Sequence, residues 1–201
     1  MTNIHALLIA AGESKRMGAP KQLLPWGTKT LIEHQIEILQ KAALNVSIVL
    51  GANAELIQKT IEHLDVDMYH NNDWESGMGT SISFGVKGIH FNQIQYDGIL
   101  IALVDQPLIT SKYFQTMIDS FESGKNQIIV SQSDTGFSGP PVLFDSSYLD
   151  ELMELHGEAG AKPIIKKHQK DVVLIPCQSS LEDIDTPEAY QRLLKMANLQ
   201  S

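Results

Sequence analysis

Short apolar runs alternate along the chain with amphipathic stretches. Residues 4–10 (IHALLIA), 46–50 (VSIVL), 98–104 (GILIALV), 127–130 (QIIV) and 171–175 (DVVLI) are too short for typical helices, so they predict strands. Their near-continuous hydrophobic character, in place of strict alternation, predicts parallel pairing under helices on both faces. Between them, residues 30–41, 54–64, 111–121 and 187–196 repeat apolar positions at helical spacing. In the first of these, Leu31, His34, Gln35, Ile38 and Leu39 share a stripe that Glu33 and Glu37 avoid. Alternation of strand and helix predicts an α/β fold with right-handed crossovers and a mostly parallel central sheet. No Pro- or Ser-rich linker and no repeat interrupts residues 1–201, which read as one domain. The stretch TGFSGPP at 135–141, followed by VLF, breaks the rhythm and predicts a loop and strand inserted in the second half.

Composition narrows the function classes. A chain of 201 residues, 43% hydrophobic, can bury a core without covalent staples. Fifteen Lys and Arg against 24 Asp and Glu leave a net charge of −9. That field repels polyphosphate backbones and anionic membrane surfaces, so neither nucleic acid nor membrane is an expected partner. A small phosphorylated ligand needs only a local basic pocket and stays open. The single cysteine, Cys177, allows no intrachain disulfide and no cysteine-based zinc site, and fits a reducing compartment. No apolar run approaches the ~20 residues of a spanning helix, and the opening MTNIH has no basic stretch of a secretory signal. The expectation is a soluble cytoplasmic protein. The seven histidines form no H-x-x-x-H pair, which removes a zincin reading.

Candidate chemistry begins just after the first strand, at AAGESKRMGAPK, residues 10–21. A glycine-bearing loop there, in an open α/β sheet, is where phosphates are commonly held by free backbone N–H groups. It is neither a dinucleotide fingerprint nor a P-loop. It does place two cations, Arg16 and Lys21, beside two glycines, and a triphosphate in an acidic protein needs such neutralisation. The bland alternative, a solvated surface loop, weighs about evenly on physics alone. Asp105 follows the most hydrophobic run, so it stands at the mouth of the crevice and suits Mg²⁺. The competing role of helix cap is filled by Thr110. Asp183 and Asp185, spaced i and i+2, share a face if extended and repel unless a cation lies beside them. Either can complete the metal site, with Asp185 taken ahead of Asp183. Thr186-Pro187-Glu188 then opens a helix. Gly77–Ser81 reads as a glycine-opened helix start, where Gly79 and Ser81 can contact a nucleotide. Trp74 reads as a packing residue and Cys177 as inert.

The spacing A-A-G-x-S-x-R-M-G-x-P-K, followed by QLLPW, resembles the opening signature of the MobA-like nucleotidyltransferases, and within them the molybdenum cofactor cytidylyltransferases. Five further blocks are similar in order: NDWESGMGTS at 72–81, LVDQPL at 103–108, GPPVLF at 139–144, GEAGAK at 157–162 and DIDTPE at 183–188. The chain departs from the pattern at Pro140 (usually His), Glu158 (usually Asp) and Lys162 (usually Arg). The resemblance implies a Rossmann-like three-layer nucleotidyltransferase fold. It implies nucleotide binding by Ala10, Ala11, Gly12, Arg16, Lys21, Gly79 and Ser81, catalysis by Arg16, Lys21 and Asp105, and Mg²⁺ on Asp105 and Asp185. It implies transfer of CMP from CTP to the phosphate of a molybdopterin-type cofactor, with the recipient molybdoenzyme as a further partner. Ala11, where guanylyl-transferring relatives tend to carry glycine, leans toward a pyrimidine donor by narrowing the nucleotide floor. The alternatives are transfer to a sugar phosphate or other small phosphate, and a non-catalytic carrier of molybdenum cofactor.

Overall fold

The computed structural model describes residues 2–42, 44–92, 95–178 and 181–198. Strand β1 (Ile4–Ala10) leads through the glycine-bearing loop to a small hairpin, β2 (Pro25–Trp26) and β3 (Lys29–Thr30). Then follow α1 (Leu31–Lys41), β4 (Asn45–Leu50), α2 (Ala54–Ile61), β5 (Asp67–His70), α3 (Met78–Phe91) and β6 (Gly98–Leu103). The second half holds α4 (Ser111–Asp119), β7 (Ile128–Ser133), β8 (Ser138–Asp145), α5 (Leu149–Met153), α6 (Lys162–Lys167), β9 (Val172–Cys177) and α7 (Pro187–Asn198).

Seven strands form one sheet in the order β5-β4-β1-β6-β8-β7-β9. All pairings are parallel except those of β8, the expected insertion, which runs antiparallel between β6 and β7. The chain builds outward from β1 through β4 to β5, then returns to β6 on the other side of β1. That reversal opens a crevice at the C-terminal ends of β1 and β6, where ligands of such sheets bind.

Alternation along each strand divides the core into two layers. Leu8, Ile48, Leu100 and Leu143 pack with α1, α2 and α4 on one face. Leu7, Val49, Ile101 and Phe144 pack with α3, α5 and α6 on the other. Trp26, Leu31, Leu108, Ile184 and Leu193 form a third cluster that fastens α7 and the hairpin beside the crevice. Helix α1 starts at a full capping box: Thr30 accepts from Glu33 N, and Glu33 accepts from Thr30 N. Its buried face holds Leu31, Gln35, Ile38 and Leu39 as expected, and Ile32 and Ile36 as well. Two elements depart from the periodicity. Strand β5 is a half-exposed edge strand with no clear apolar signature. The glycine-opened start at 77–81 is the head of a full helix of 14 residues. Its glycines break the apolar stripe, yet Gly85 needs to be small, since a Cβ there would lie 2.6 Å from Leu7 Cδ1 and from Val49 Cγ2. Among the described residues no helix is long and apolar enough to cross a membrane.

Candidate active site

The loop after β1 is shaped by its own backbone. Ser14 and Gly18 take left-handed conformations on either side of a short 3-10 turn, Lys15–Met17, and a second turn, Lys21–Leu23, follows. Gln22 is fully buried and donates through Nε2 to Ala10 O (2.8 Å) and Gly12 O (2.9 Å), clamping the loop to the strand end. Ser14 Oγ accepts from Lys21 N at 3.1 Å. The space a Cβ would occupy at Gly12 is open, so backbone there can meet a ligand closely. Ala10 and Ala11 are only 1% and 3% exposed. Ala11 packs in the cluster under α3, so its methyl faces the core and does not narrow the nucleotide floor as expected.

A hollow of about 550 Å³ lies between this loop and the end of β4, bordered by Ser14, Lys15, Gly18, Gly51, Asn53 and Trp74. Gly51 lets these walls close, because a Cβ there would stand 2.6 Å from Trp74 Cβ and 2.7 Å from Ala11 O. Trp74 both packs on the core and borders the hollow.

The fold brings Arg16, Lys21, Asp105 and Asp185 together. Asp105 follows β6, and Thr110 caps α4 by accepting from Tyr113 N at 3.2 Å, which leaves the Asp105 carboxylate to the crevice. The 181–186 segment is sewn to it: Ile184 N donates to Asp105 O at 2.9 Å, and Gln106 Nε2 to Leu181 O at 3.1 Å. Thr186 Oγ1 accepts from Ala189 N at the head of α7, so neither aspartate caps that helix. Lys21 Nζ pairs with Asp105 Oδ2 and lies 3.5 Å from Asp185 Oδ1. Arg16 donates to Asp185 Oδ2 at 2.9 Å. Although much of Asp183 is open to solvent, its carboxyl is pushed up to about 6, first by desolvation and then by the negative charges of Asp105 and Asp185.

These groups suit a hard divalent cation. Asp105 Oδ1 is a buried acceptor with no hydrogen-bond partner, and the mutual repulsion of the carboxylates is what such a cation relieves. Among the described residues no three His, Cys, Asp or Glu side chains could by themselves hold an ion, so phosphate oxygens of a substrate would complete its shell.

Gly79 and Ser81 already have partners within the fold. Gly79 N donates to Gly157 O at 2.8 Å, and buried Ser81 Oγ accepts from Asn71 Nδ2 at 3.0 Å. Pairing alone could not reveal Gln22 or Gln106 as site residues. The only signal was their place inside the quoted blocks.

A second cavity, about 580 Å³, lies on the α3 side of the sheet. Ile101, Leu103, Val130, Val142 and Phe144 border it from the sheet and Ile165 from α6. Pro140 and Lys162, two of the departures from the resembled pattern, border it as well.

Comparison with known proteins gives a consistent family. The model of the MobA-like NTP transferase domain matches residues 6–172. The nicotine blue oxidoreductase of Paenarthrobacter nicotinovorans is 33% identical, over 95% of this chain and 96% of its own. The molybdenum cofactor cytidylyltransferase of Escherichia coli is 24% identical, over 94% of this chain and 95% of its own. Among solved structures, a nucleotidyl transferase from Methanothermobacter thermautotroptrophicus superposes with a TM-score of 0.84 at 20% identity, covering 100% of both chains.

Proposed function

The chain belongs to the MobA-like NTP transferase family, and from that premise we propose that it is a cytoplasmic, single-domain nucleotidyltransferase using CTP, Mg²⁺ and the phosphate of a molybdopterin-type acceptor. The observation that carries the reading is the convergence of two signature cations, Arg16 and Lys21, on two carboxylates, Asp105 and Asp185, at the switch point of the sheet. The whole-length similarity to a molybdenum cofactor cytidylyltransferase supports the choice of CTP and acceptor.

An acceptor phosphate oxygen attacks the α-phosphorus of the triphosphate. The new P–O bond forms as the α–β bond breaks, and pyrophosphate leaves with the electron pair. When bound, Mg²⁺ supplies positive charge that orients and neutralises phosphate oxygens. Asp105 and Asp185 would hold it. Arg16 grips outer phosphate oxygens in pairs, Lys21 offers a movable point charge, and both stabilise the departing pyrophosphate. The exposed backbone at Gly12 admits the nucleotide closely. No covalent protein nucleophile is required, because positioning and charge neutralisation lower the barrier.

The test is kcat/KM for each of the four nucleoside triphosphates with molybdenum cofactor as acceptor. CTP is expected to lead. A GTP value equal to or above that of CTP would remove the cytidylyl assignment. The 33% identity to a protein named as an oxidoreductase favours a second reading, redox chemistry in the same fold. Pyrophosphate release dependent on acceptor separates the two.

A further inference from the structure

Resting on the nucleotidyltransferase reading, we propose that Lys21 is a resident occupant of the cation seat, so that the ligand-free protein excludes a divalent ion and admits it together with a triphosphate. The side chains of Lys21 and Asp105 are each only 13% exposed, and the ammonium pairs with Asp105 Oδ2. The same nitrogen lies 3.4 Å from Ile184 O and 3.5 Å from Asp185 Oδ1. Arg16 occupies the other oxygen of Asp185. Two cations thus neutralise two carboxylates, and Asp105 Oδ1 is left as the buried oxygen without a partner.

In this arrangement the cations meant for phosphate and the carboxylates meant for metal are spent on each other. A divalent ion alone has to enter beside a fixed ammonium, and like charges at such range repel strongly where solvent is scarce. A triphosphate alone has to strip Lys21 and Arg16 from their carboxylates. Arriving together, each ligand removes the competitor of the other: phosphate takes the cations, the ion takes the aspartates. By linkage the coupling is reciprocal, so whatever weakens the lysine's hold tightens metal binding in the absence of nucleotide.

The experiment titrates Mn²⁺, without nucleotide, into wild-type protein, Lys21→Met, Lys21→Arg and the Lys21→Met/Asp105→Asn double variant, reading free Mn²⁺ by electron paramagnetic resonance. Lys21→Met is expected to bind Mn²⁺ at least tenfold more tightly than wild type. Lys21→Arg, which keeps the charge, is expected to stay near wild type, and the double variant to lose the gain. Mn²⁺ binding by Lys21→Met no tighter than wild type overturns the proposal. Should Lys21→Met fail to fold by circular dichroism, the wild-type protein carries the test through its ¹⁵N-lysine ammonium resonance, assigned by its absence in Lys21→Arg. That signal is expected to survive millimolar Mg²⁺ alone and to change only when CTP is added with Mg²⁺; displacement by Mg²⁺ alone overturns the proposal. A failure of wild type to bind any triphosphate with Mg²⁺ would instead remove the nucleotidyltransferase reading, which the nucleotide-free Mn²⁺ titration does not depend on.

Discussion

The crevice at Asp105 and the apolar cavity on the α3 side of the sheet are built by different physics. The crevice is made of loop residues far apart in sequence, held by polar bonds: Gln22 to Ala10 O and Gly12 O, Ile184 N to Asp105 O, and Gln106 to Leu181 O. The cavity is made of side chains on regular elements, such as Ile101, Val142 and Phe144, that also form the core. Charge concentrates in the first and is nearly absent from the floor of the second. Substitutions in the crevice should therefore remove function at little cost in stability, whereas substitutions on the cavity floor should do the reverse.

The sharpest separation is expected from Asp105→Asn. It keeps the shape of the side chain and removes the charge, so turnover should fall on the order of 10³-fold while the unfolding midpoint moves little. Steady-state pyrophosphate release and thermal melting check both halves. Retention of most of the wild-type rate at saturating Mg²⁺ would mean that Asp105 does not hold the cation.

Phe144→Ala is the converse. Phe144 is fully buried on β8, so the truncation should cost ~3–5 kcal/mol in urea unfolding. CTP affinity should stay within a small factor, and a loss of CTP binding in the still-folded variant would show that the two hollows are not separable.

Within the crevice, Lys21→Ala should weaken CTP by roughly tenfold or more, the scale of a lost charge-assisted bond, and CMP much less. Calorimetric titration of both nucleotides decides it. Equal losses would place the lysine away from the outer phosphates.

The smallest effect concerns support for the crevice. His34 holds Pro107 O at 3.1 Å, behind Asp105, and its pKa is lowered by burial, as is that of His5. A lowered imidazole pKa means the folded state binds fewer protons than the unfolded chain. The stability gained is complete above the ordinary value near 6.5 and is lost as pH falls below it. Between pH 7.5 and pH 5 the urea midpoint of wild type should fall relative to that of His34→Gln, in which this contribution is absent. An equal pH response in the two proteins would show that the His34 ring does not stay neutral on folding.

Strands such as β1 and β6 were legible because both their faces are buried, which leaves an unbroken apolar run. Strand β5 was not, since an edge strand half open to water needs no such run. Helix α3 was hidden by Gly79, Gly85 and Gly88, residues chosen for contacts with His156, Leu7 and Tyr69 that no local pattern reports. Arg16, Lys21, Asp105 and Asp185 could be named from motif chemistry. Their pairing could not, because it depends on how the 181–186 segment is tied to the end of β6. The buried orientation of Ala11 escaped for the same reason: a methyl one residue past a strand can face either side. The cavity was invisible because its walls come from segments spread between Met78 and Leu174.

Nucleotidyl transfer at the Lys21–Asp105 crevice is put to the proof by incubating the protein with Mg²⁺, molybdenum cofactor and CTP labelled at the α-phosphorus. The expected result is label in the acceptor, matched mole for mole by pyrophosphate, and both lost in Asp105→Asn. Folded wild-type protein that gives neither product, from CTP or from any other nucleoside triphosphate, is not a nucleotidyltransferase.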